Sequence, residues 1–339
     1  MADNYAFIGL GAMGYAMAMN IRKKMPSSST LYINDINAAA CARFKQEFAS
    51  YGPIEIVPTA REAAENASVL ISIVPGAADV KAVYLDEVTG VIAVKKNKDR
   101  LMLECSTIDV ESTKEVGRKV MSEGRGVYID APVSGGVPAA ESGTLAMLIG
   151  HPAPSTSLPS PPSQQLSAVL SMLGAPSKFI YLHTLGAGLT AKISNNYLSG
   201  TILLATAEAL AMGVKHGLDP ADLYAVIKNS TGQSWMCDHV MPIPNVQTEY
   251  WVPSNTGYKP GFKTQMMLKD LGLGIEGARQ VGVTPNMGEA AMRVWESAAR
   301  DERCRDRDGS SIYLHVGGVL PEGYGDGGRR GEDGTWEFE

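Results

Sequence analysis

The feature that most constrains the fold of this chain is a glycine-rich turn between a short apolar run and a helical pattern. Tyr5–Ile8 is apolar and is followed at once by Gly9–Gly14, which reads G-L-G-A-M-G and has the spacing G-x-G-x-x-G. From Met13 to Met25, apolar residues recur every four positions, as on one face of a helix. A strand, a glycine turn and a helix in this order are typical of the first unit of a doubly wound α/β domain.

The same alternation continues through the first half of the chain. Short, mostly apolar runs follow at residues 31–33, 54–57, 69–74, 101–104 and 127–130, and helical stretches separate them. Parallel strands that helices cover on both faces are apolar almost throughout. The sequence therefore predicts an α/β fold, with an N-terminal Rossmann-type doubly wound sheet over residues 1–184.

The second half of the chain has a different pattern. Residues 189–216 contain no proline and are apolar almost all round, which predicts a long buried helix. Further helices are predicted at 219–229, 264–281 and 285–303. We therefore expect an all-helical domain over residues 185–305, joined to the first domain by the long helix.

Two segments depart from regular structure. Residues 151–163 contain five prolines and four serines, which predicts a surface loop inserted within the first domain. Residues 306–339 are rich in glycine and charge, and we expect this tail to be poorly ordered.

Composition argues against several classes of protein. Lys and Arg number 30 and Asp and Glu 36, and no basic run is present, so nucleic acid is not an expected partner. The sequence has no run of 18 apolar residues, so no membrane span is expected. The four cysteines form no Cys-x-x-Cys pair and the histidines have no metal-like spacing, so neither a disulfide scaffold nor a metal site is predicted. A strand that begins by Tyr5 leaves no room for a leader, which predicts a cytoplasmic protein.

The glycine turn and an acidic residue after it suit a dinucleotide. Gly9 allows a tight turn, Gly11 lets the backbone approach a pyrophosphate, and Gly14 lets helix and strand pack closely. Asp35 ends the second predicted strand, where a carboxylate accepts hydrogen bonds from both ribose hydroxyls and repels a 2′-phosphate. These residues predict NAD rather than NADP. For Asp35 taken alone, an exposed residue at the end of a strand is the alternative.

Loops at the carboxyl ends of the later strands complete the predicted groove. Val74-Pro75 and Thr107 follow the fourth and fifth strands and should line the cofactor. Ser134, Gly135 and Gly136 follow the sixth strand, and a hydroxyl beside exposed backbone N–H groups suits a small carboxylate. A plain tight turn explains these three residues equally well.

Lys192 is the candidate for chemistry. Lys192 and Asn196 are four residues apart on the predicted long helix and so share a face. A lysine among apolar neighbours is costly unless its ammonium group reaches water, pairs or takes part in proton transfer. A lysine that extends to the surface is the alternative. Lys269-Asp270 is a second candidate, with a solvated helix face as its alternative. Trp235 and Phe262 are candidates for pocket walls, although core packing is the usual role of an aromatic residue.

Together these residues resemble the β-hydroxyacid dehydrogenase family over about residues 5–303. The matching segments are Phe7–Gly14, Ser106–Asp109, Asp130–Val137, Ala191-Lys192 with Asn195-Asn196, and Lys269–Gly272. The resemblance implies reversible NAD-dependent oxidation of a small β-hydroxy acid such as 3-hydroxyisobutyrate, a step of valine catabolism. It also implies homodimers or homotetramers, and in eukaryotes a mitochondrial location.

The resemblance implies a role for each candidate residue. The implied cofactor contacts are Gly9, Leu10, Gly11, Ala12, Met13, Gly14, Asp35, Val74, Pro75, Thr107, Phe262 and Lys269. The implied substrate contacts are Ser134, Gly135, Gly136, Asn196 and Trp235. Lys192 is implied to be the catalytic acid/base, which accepts the hydroxyl proton while a hydride passes to the nicotinamide.

Three alternatives stay open at this point. A sister enzyme acting on succinic or tartronic semialdehyde keeps the same machinery. An imine reductase shares the scaffold but typically carries Asp or Tyr in place of Lys192. A non-catalytic member uses the fold as an assembly module, and such proteins have lost the lysine. The loop at 151–163 and the glycine-rich tail depart from the family pattern.

Overall fold

A computed structural model describes residues 4–154, 161–247, 249–321, 329–330 and 336–337. The chain divides into two compact units, Met1–Lys192 and Ile193–Glu339. The domain boundary expected from the sequence, after residue 184, precedes this division.

The first unit is built on a six-stranded parallel sheet. Its strands are β1 (Tyr5–Ile8), β2 (Leu31–Asn34), β3 (Ile54–Ile56), β4 (Val69–Ser72), β5 (Leu101–Glu104) and β6 (Val127–Asp130). The helices between them are α1 (Ala12–Lys24), α2 (Ala38–Phe48), α3 (Ala60–Asn66), α4 (Ala77–Leu85) and α5 (Val110–Ser122). The strand order is β3-β2-β1-β4-β5-β6, and every neighbouring pair is parallel. This is the doubly wound order, and the predicted fold class is confirmed.

Alternate residues of the strands pack on opposite faces of this sheet. On β1, Tyr5 and Phe7 belong to one apolar cluster, whereas Ala6 and Ile8 belong to another. All four are at most 4% exposed. Because each face is buried under helices, the strands have no polar side, which explains why they are apolar almost throughout.

A second, three-stranded sheet follows β6. Its strands are β7 (Val133–Ser134), β8 (Leu145–Ile149) and β9 (Gly174–Tyr181); β7 pairs antiparallel with β8, and β8 pairs parallel with β9. The helices of this region are α6 (Gly136–Ser142) and α7 (Pro161–Leu173). The sequence did not predict β7 or β8.

The prediction of a loop at 151–163 is wrong for its last three residues. Residues 161–163 form the start of α7. Proline is tolerated in the first turn of a helix, because the N–H that it lacks would have no partner within the helix there. Residues 155–160 of the predicted loop lie outside the described residues.

The second unit is helical. Its elements are α8 (Ala187–Lys215), whose first residues belong to the first unit, α9 (Pro220–Lys228), α10 (Trp235–His239), α11 (Thr264–Gln280), α12 (Asn286–Ala298) and α13 (Ile312–His315). Trp295 lies fully buried in its core and donates a hydrogen bond from Nε1 to the carbonyl of Gly200. Two-residue strands at Arg329–Arg330 and Trp336–Glu337 pair antiparallel.

Among the described helices, α8 alone has the length and apolar composition of a membrane span. This is weak evidence, since a core helix of a soluble protein meets the same test. Several α8 residues are indeed buried in the apolar core of the second unit, namely Leu203, Leu204, Ala207, Leu210 and Ala211.

The prediction of a poorly ordered tail is wrong for the part just after residue 306. Asp308 is 4% exposed, and its Oδ2 accepts hydrogen bonds from the backbone N–H groups of Gly261 and Phe262. The carbonyl of Arg307 accepts from the N–H of Thr264, the first residue of α11. The apolar segment Ile312–Leu314 is at most 5% exposed. The glycine content of the tail as a whole concealed this short buried segment.

Candidate functional site

The glycine turn has the geometry that a diphosphate needs. Gly9 has φ +94°, and a Cβ atom there would lie 2.0 Å from the carbonyl oxygen of Ile73. A Cβ atom at Gly14 would lie 2.0 Å from the carbonyl oxygen of Gly9, so both glycines are required for packing. Gly11 is exposed and a Cβ there would meet nothing within 4 Å, which leaves its backbone open to a ligand beside the first turn of α1.

Asp35 lies directly beside this turn. Its Oδ2 accepts a hydrogen bond from the backbone N–H of Leu10, and its Oδ1 accepts from that of Asn37 at 2.7 Å. The carboxylate thus lies next to the diphosphate position and at the carboxyl end of β2. This placement suits a ribose whose hydroxyls donate to Asp35, and together with the open glycine turn it fits a bound NAD.

A buried carboxyl group supports the loops after β4 and β5. Glu104 is 0% exposed; its Oε1 accepts a 2.7 Å hydrogen bond from the N–H of Ser106, and its Oε2 accepts from the hydroxyl of Ser72. The Ser106 hydroxyl in turn accepts from the N–H of Val74 at 2.7 Å. Burial raises the pKa of Glu104 to about 7, against the opposing effect of its hydrogen bonds.

Glu104 therefore links the two loops that carry the predicted cofactor residues Val74, Pro75 and Thr107. Glu104 was not among the residues predicted from the sequence to be functional. The available signal was a charged residue at the end of an otherwise apolar strand.

The predicted carboxylate-binding segment lies at the end of β7. Ser134 is half-buried, whereas Gly135 is exposed. Gly135 has φ +131° and Gly136 has φ +67°, conformations that residues with side chains rarely adopt. A Cβ at Gly135 would also lie 2.5 Å from the Cβ of Ala139. Both glycines are thus required by the backbone, whichever ligand they face.

Lys192 is only 9% exposed. This argues against a lysine that simply extends into solvent, the alternative considered for it. Its apolar neighbours Leu189 and Ile193 are buried, whereas Asn195 on the same helix is exposed. A lysine in such surroundings is rare without a specific function or partner.

The remaining candidates belong to the second unit. Asn196 donates a hydrogen bond from Nδ2 to Oδ2 of Asp270 at 2.7 Å, and Asp270 is 7% exposed. The neighbouring Lys269 is exposed. The sequence named Asp270 as a candidate only together with Lys269, and no separate role was predicted for it. The burial of the Asp270 carboxylate on α11 indicates a specific role, and the sequence alone does not show this burial.

The two aromatic candidates differ in their environment. Trp235 is 63% exposed and stacks on His239, with ring centroids 4.4 Å apart and planes at 2°. His239 stacks in turn on Tyr250 at 4.2 Å. Phe262 is half-buried and held by the bond from its N–H to Asp308. Core packing is therefore not the role of Trp235.

The candidate residues are distributed over both units. The first unit carries the glycine turn, Asp35, Val74, Pro75, Thr107, Ser134, Gly135, Gly136 and Lys192, and the second carries Asn196, Trp235, Phe262 and Lys269. Their individual roles stay predictions. No group of three or more His, Cys, Asp or Glu side chains in the described parts of the chain is placed to hold a metal ion.

Comparison with known proteins gives two matches to family models. Residues 4–196 match the NAD binding domain of 6-phosphogluconate dehydrogenase. Residues 186–316 match a family described as NAD-binding of NADP-dependent 3-hydroxyisobutyrate dehydrogenase. Together they span the described helices and strands of both units up to residue 316.

Individual relatives match over most of the chain. A 3-hydroxyisobutyrate dehydrogenase from Pseudomonas aeruginosa is 35% identical over 308 residues, which is 91% of this chain and 96% of the relative. The mitochondrial 3-hydroxyisobutyrate dehydrogenase of Mus musculus is 33% identical over 91% of this chain and 86% of its own length. The structure of Mycobacterium tuberculosis 3-hydroxyisobutyrate dehydrogenase with L-serine has a TM-score of 0.79 at 30% identity, covering 94% of this chain and all of the other.

Proposed function

Because the chain belongs to the β-hydroxyacid dehydrogenase family, we propose that it oxidises 3-hydroxyisobutyrate to methylmalonate semialdehyde, an NAD-dependent step of valine catabolism. The observation that carries the proposal is Lys192, which is nearly buried in an apolar helix of a chain that also has a complete dinucleotide-binding turn. A non-catalytic assembly module has no need of such a lysine.

In the proposed reaction, each residue of the site has a separate role. Bound NAD supplies the hydride acceptor. Lys192 accepts the proton of the substrate hydroxyl while the substrate carbon that bears this hydroxyl loses a hydride. The alcohol thereby becomes a carbonyl. The Ser134 hydroxyl and the backbone N–H groups of Gly135 and Gly136 hold the carboxylate. Asn196, fixed by its bond to Asp270, orients the substrate.

Asp35 supports the preference for NAD over NADP. Its carboxylate lies beside Leu10, where the adenosine ribose is bound in the doubly wound fold. A 2′-phosphate would place a second negative charge against it.

Sister substrates are the second candidate for the function. The machinery above acts on any small acid with a hydroxyl on the β-carbon, and the Mycobacterium tuberculosis relative was crystallised with L-serine, which has this arrangement. Tartronic semialdehyde, which is reduced to the β-hydroxy acid glycerate, belongs to the same group. Succinic semialdehyde, which is reduced to 4-hydroxybutyrate with its hydroxyl on the γ-carbon, is a longer candidate substrate.

The assembly and location of the protein are also proposals. Homodimers or homotetramers are proposed from the family resemblance, with a sedimentation measurement as the test. The relatives comprise a bacterial enzyme and enzymes described as mitochondrial. The cytoplasmic location expected from the sequence stays a prediction.

The test is the initial rate of NADH formation at 340 nm. The substrates would be 3-hydroxyisobutyrate, 4-hydroxybutyrate, glycerate and serine, each with NAD+ and NADP+. We expect the highest kcat/KM with 3-hydroxyisobutyrate and NAD+, and a kcat for Lys192→Ala at least about 100-fold lower. Activity with another acid alone would assign a sister enzyme, and an unchanged kcat for Lys192→Ala would contradict the mechanism.

A further inference from the structure

Asp130 is a fully buried carboxylate at the end of β6, with 0% exposure. Its Oδ1 accepts a hydrogen bond from the backbone N–H of Gly186 at 2.7 Å, and its Oδ2 accepts from that of Leu189 at 2.9 Å. Both donors lie at the start of α8, where the N–H groups of a helix have no partners within the helix. Asp130 thus caps α8 from a strand that ends 56 residues before Gly186.

Two glycines make room for this carboxylate. A Cβ atom at Gly150 would lie 2.0 Å from Oδ1 of Asp130. A Cβ atom at Gly188 would lie 2.3 Å from the carbonyl oxygen of Leu148 and 2.9 Å from Oδ2 of Asp130. The N–H of Gly150 also donates to the Asp130 carbonyl at 2.8 Å. Three segments, the end of β6, the end of β8 and the start of α8, therefore converge on one side chain.

A local N-cap would cost less free energy than a buried carboxylate, but α8 does not have one. Helices are ordinarily capped by Ser, Thr, Asp or Asn at the residue before the first turn. Here that residue is Gly186, with φ +88° and no side chain. Burying a carboxylate costs more than exposing a local cap, and burial raises the pKa of Asp130 while its backbone hydrogen bonds act in the opposite sense. The costlier arrangement joins two distant segments, which a local cap does not do.

The two segments carry the proposed chemistry. Ser134 follows Asp130 by four residues, and Lys192 follows Leu189 by three, about 4.5 Å along the helix axis. We infer that Asp130 is a positioning residue, which holds the first turn of α8 and thereby sets the place of Lys192 relative to β6. This inference rests on the proposed function, in which Lys192 is the acid/base.

Asp130→Asn is the first test. The side chain keeps its size, loses one acceptor and places an amide NH2 group near backbone donors. We expect kcat for 3-hydroxyisobutyrate oxidation to fall about 10- to 100-fold, because small displacements of a catalytic group have effects of this size. The Kd for NADH, measured by fluorescence, should stay unchanged, since the glycine turn and Asp35 are not altered. A folded variant with normal kcat would overturn the inference, and so would equal losses of kcat and of NADH affinity.

A double variant separates positioning from general destabilisation. If Asp130 acts through Lys192, adding Asp130→Asn to Lys192→Ala leaves the residual kcat unchanged, because the two residues act as a unit. If it lowers the residual rate by the same factor as in the parent enzyme, Asp130 acts independently and the inference is wrong. A Lys192→Ala enzyme with full kcat is a different result, since it contradicts the proposed function itself.

Asp219→Ala is the matched control. Asp219 caps α9 through the N–H groups of Ala221 and Asp222, on the exposed surface of the second unit. Its loss should lower the melting temperature and leave kcat unchanged. Should Asp130→Asn fail to fold, Gly188→Ala keeps the carboxylate and disturbs its cradle. The same fall in kcat with normal NADH binding is expected there, and a normal kcat would overturn the inference.

Discussion

The Asn196 side chain is fixed by Asp270, which accepts a hydrogen bond from its Nδ2 at 2.7 Å. Asp270 lies on α11 and is 7% exposed, so this carboxylate is largely shielded from water. The bond leaves the Asn196 carbonyl oxygen for other partners and determines which way the amide faces. An amide with one defined orientation is what a substrate-orienting residue requires.

Asp270→Ala should therefore impair substrate use. Without its acceptor the Asn196 amide loses its fixed orientation, and we expect kcat/KM to fall about tenfold, the equivalent of roughly 1.4 kcal/mol. Steady-state kinetics with 3-hydroxyisobutyrate measure this effect. The double variant with Asn196→Ala should be no worse than either single variant; additive losses would show that the two residues act separately. Asp222→Ala, on the exposed face of α9, is the control and should leave kcat/KM unchanged.

Asp35→Ser should relax the choice of cofactor. The substitution removes the charge that opposes a 2′-phosphate and the acceptor that we expect the ribose to use. We expect the ratio of kcat/KM for NADP+ to that for NAD+ to rise at least about tenfold, the effect of roughly 1.4 kcal/mol. The same substitution at Asp99, an exposed loop residue, should leave the ratio unchanged. If the ratio of the two kcat/KM values is the same in Asp35→Ser as in the parent enzyme, the carboxylate does not contribute to recognition of the ribose.

Glu104→Gln should change how stability depends on pH. The carboxyl of Glu104 ionises near 4.5 in an unfolded chain and at about 7 in the folded protein. Between these values the unfolded chain releases its proton while the folded chain keeps it, so the free energy of unfolding falls as pH rises towards 7. This contribution amounts to at most about 3 kcal/mol and is lost in full above the folded pKa.

Denaturant unfolding of Glu104→Gln between pH 5 and 8 measures the effect. The variant carries no ionisable group at this position, so its stability should fall less with rising pH than that of the parent protein. Glu87→Gln, at an exposed position, is the control and should retain the parent dependence. Parallel pH curves for Glu104→Gln and the parent would contradict the assignment of this proton to Glu104.

Asp308→Ala should destabilise the second unit. Asp308 accepts hydrogen bonds from the N–H groups of Gly261, Phe262 and Ser310, and the last also donates its hydroxyl. Loss of these acceptors leaves buried donors without partners, and we expect a cost of about 2 kcal/mol or more. Thermal unfolding measures the change. Asp306→Ala is the matched control, because Asp306 is partly exposed and pairs with the neighbouring Arg305. Equal melting temperatures for the two variants would contradict the anchoring role of Asp308.

Local patterns made much of this architecture predictable. The glycine turn at Gly9–Gly14 and the apolar strands are set by short-range requirements, because turn geometry and burial on both faces restrict residue type directly. The helical pattern around Lys192 likewise reveals an unusual lysine. These features gave the fold class and the candidate acid/base without any knowledge of long-range contacts.

Features that depend on distant contacts were not predictable in this way. Asp130 contacts residues more than fifty positions later, and Glu104 acquires its environment only when β4 and β5 pair. The folding of Arg307–Ser311 depends on Thr264, the first residue of α11, and on Phe262, which lies just before that helix. In each case the sequence shows a charged or polar residue, and only its partners distinguish a buried anchor from a solvated side chain.

The hydrogen bond from the N–H of Thr264 to the carbonyl of Arg307 also affects how the chain folds during synthesis. Arg307 follows Thr264 by 43 residues, so the ribosome must synthesise α11 and α12 before the acceptor of this bond exists. The strands of the first unit are complete by Tyr181. Because domains generally fold as units from the N-terminus during synthesis, nascent chains should pass through a stage with the first unit folded and the second incomplete. At that stage the apolar residues of α8, which include Leu203, Leu204 and Leu210, lack the core that buries them in the complete protein.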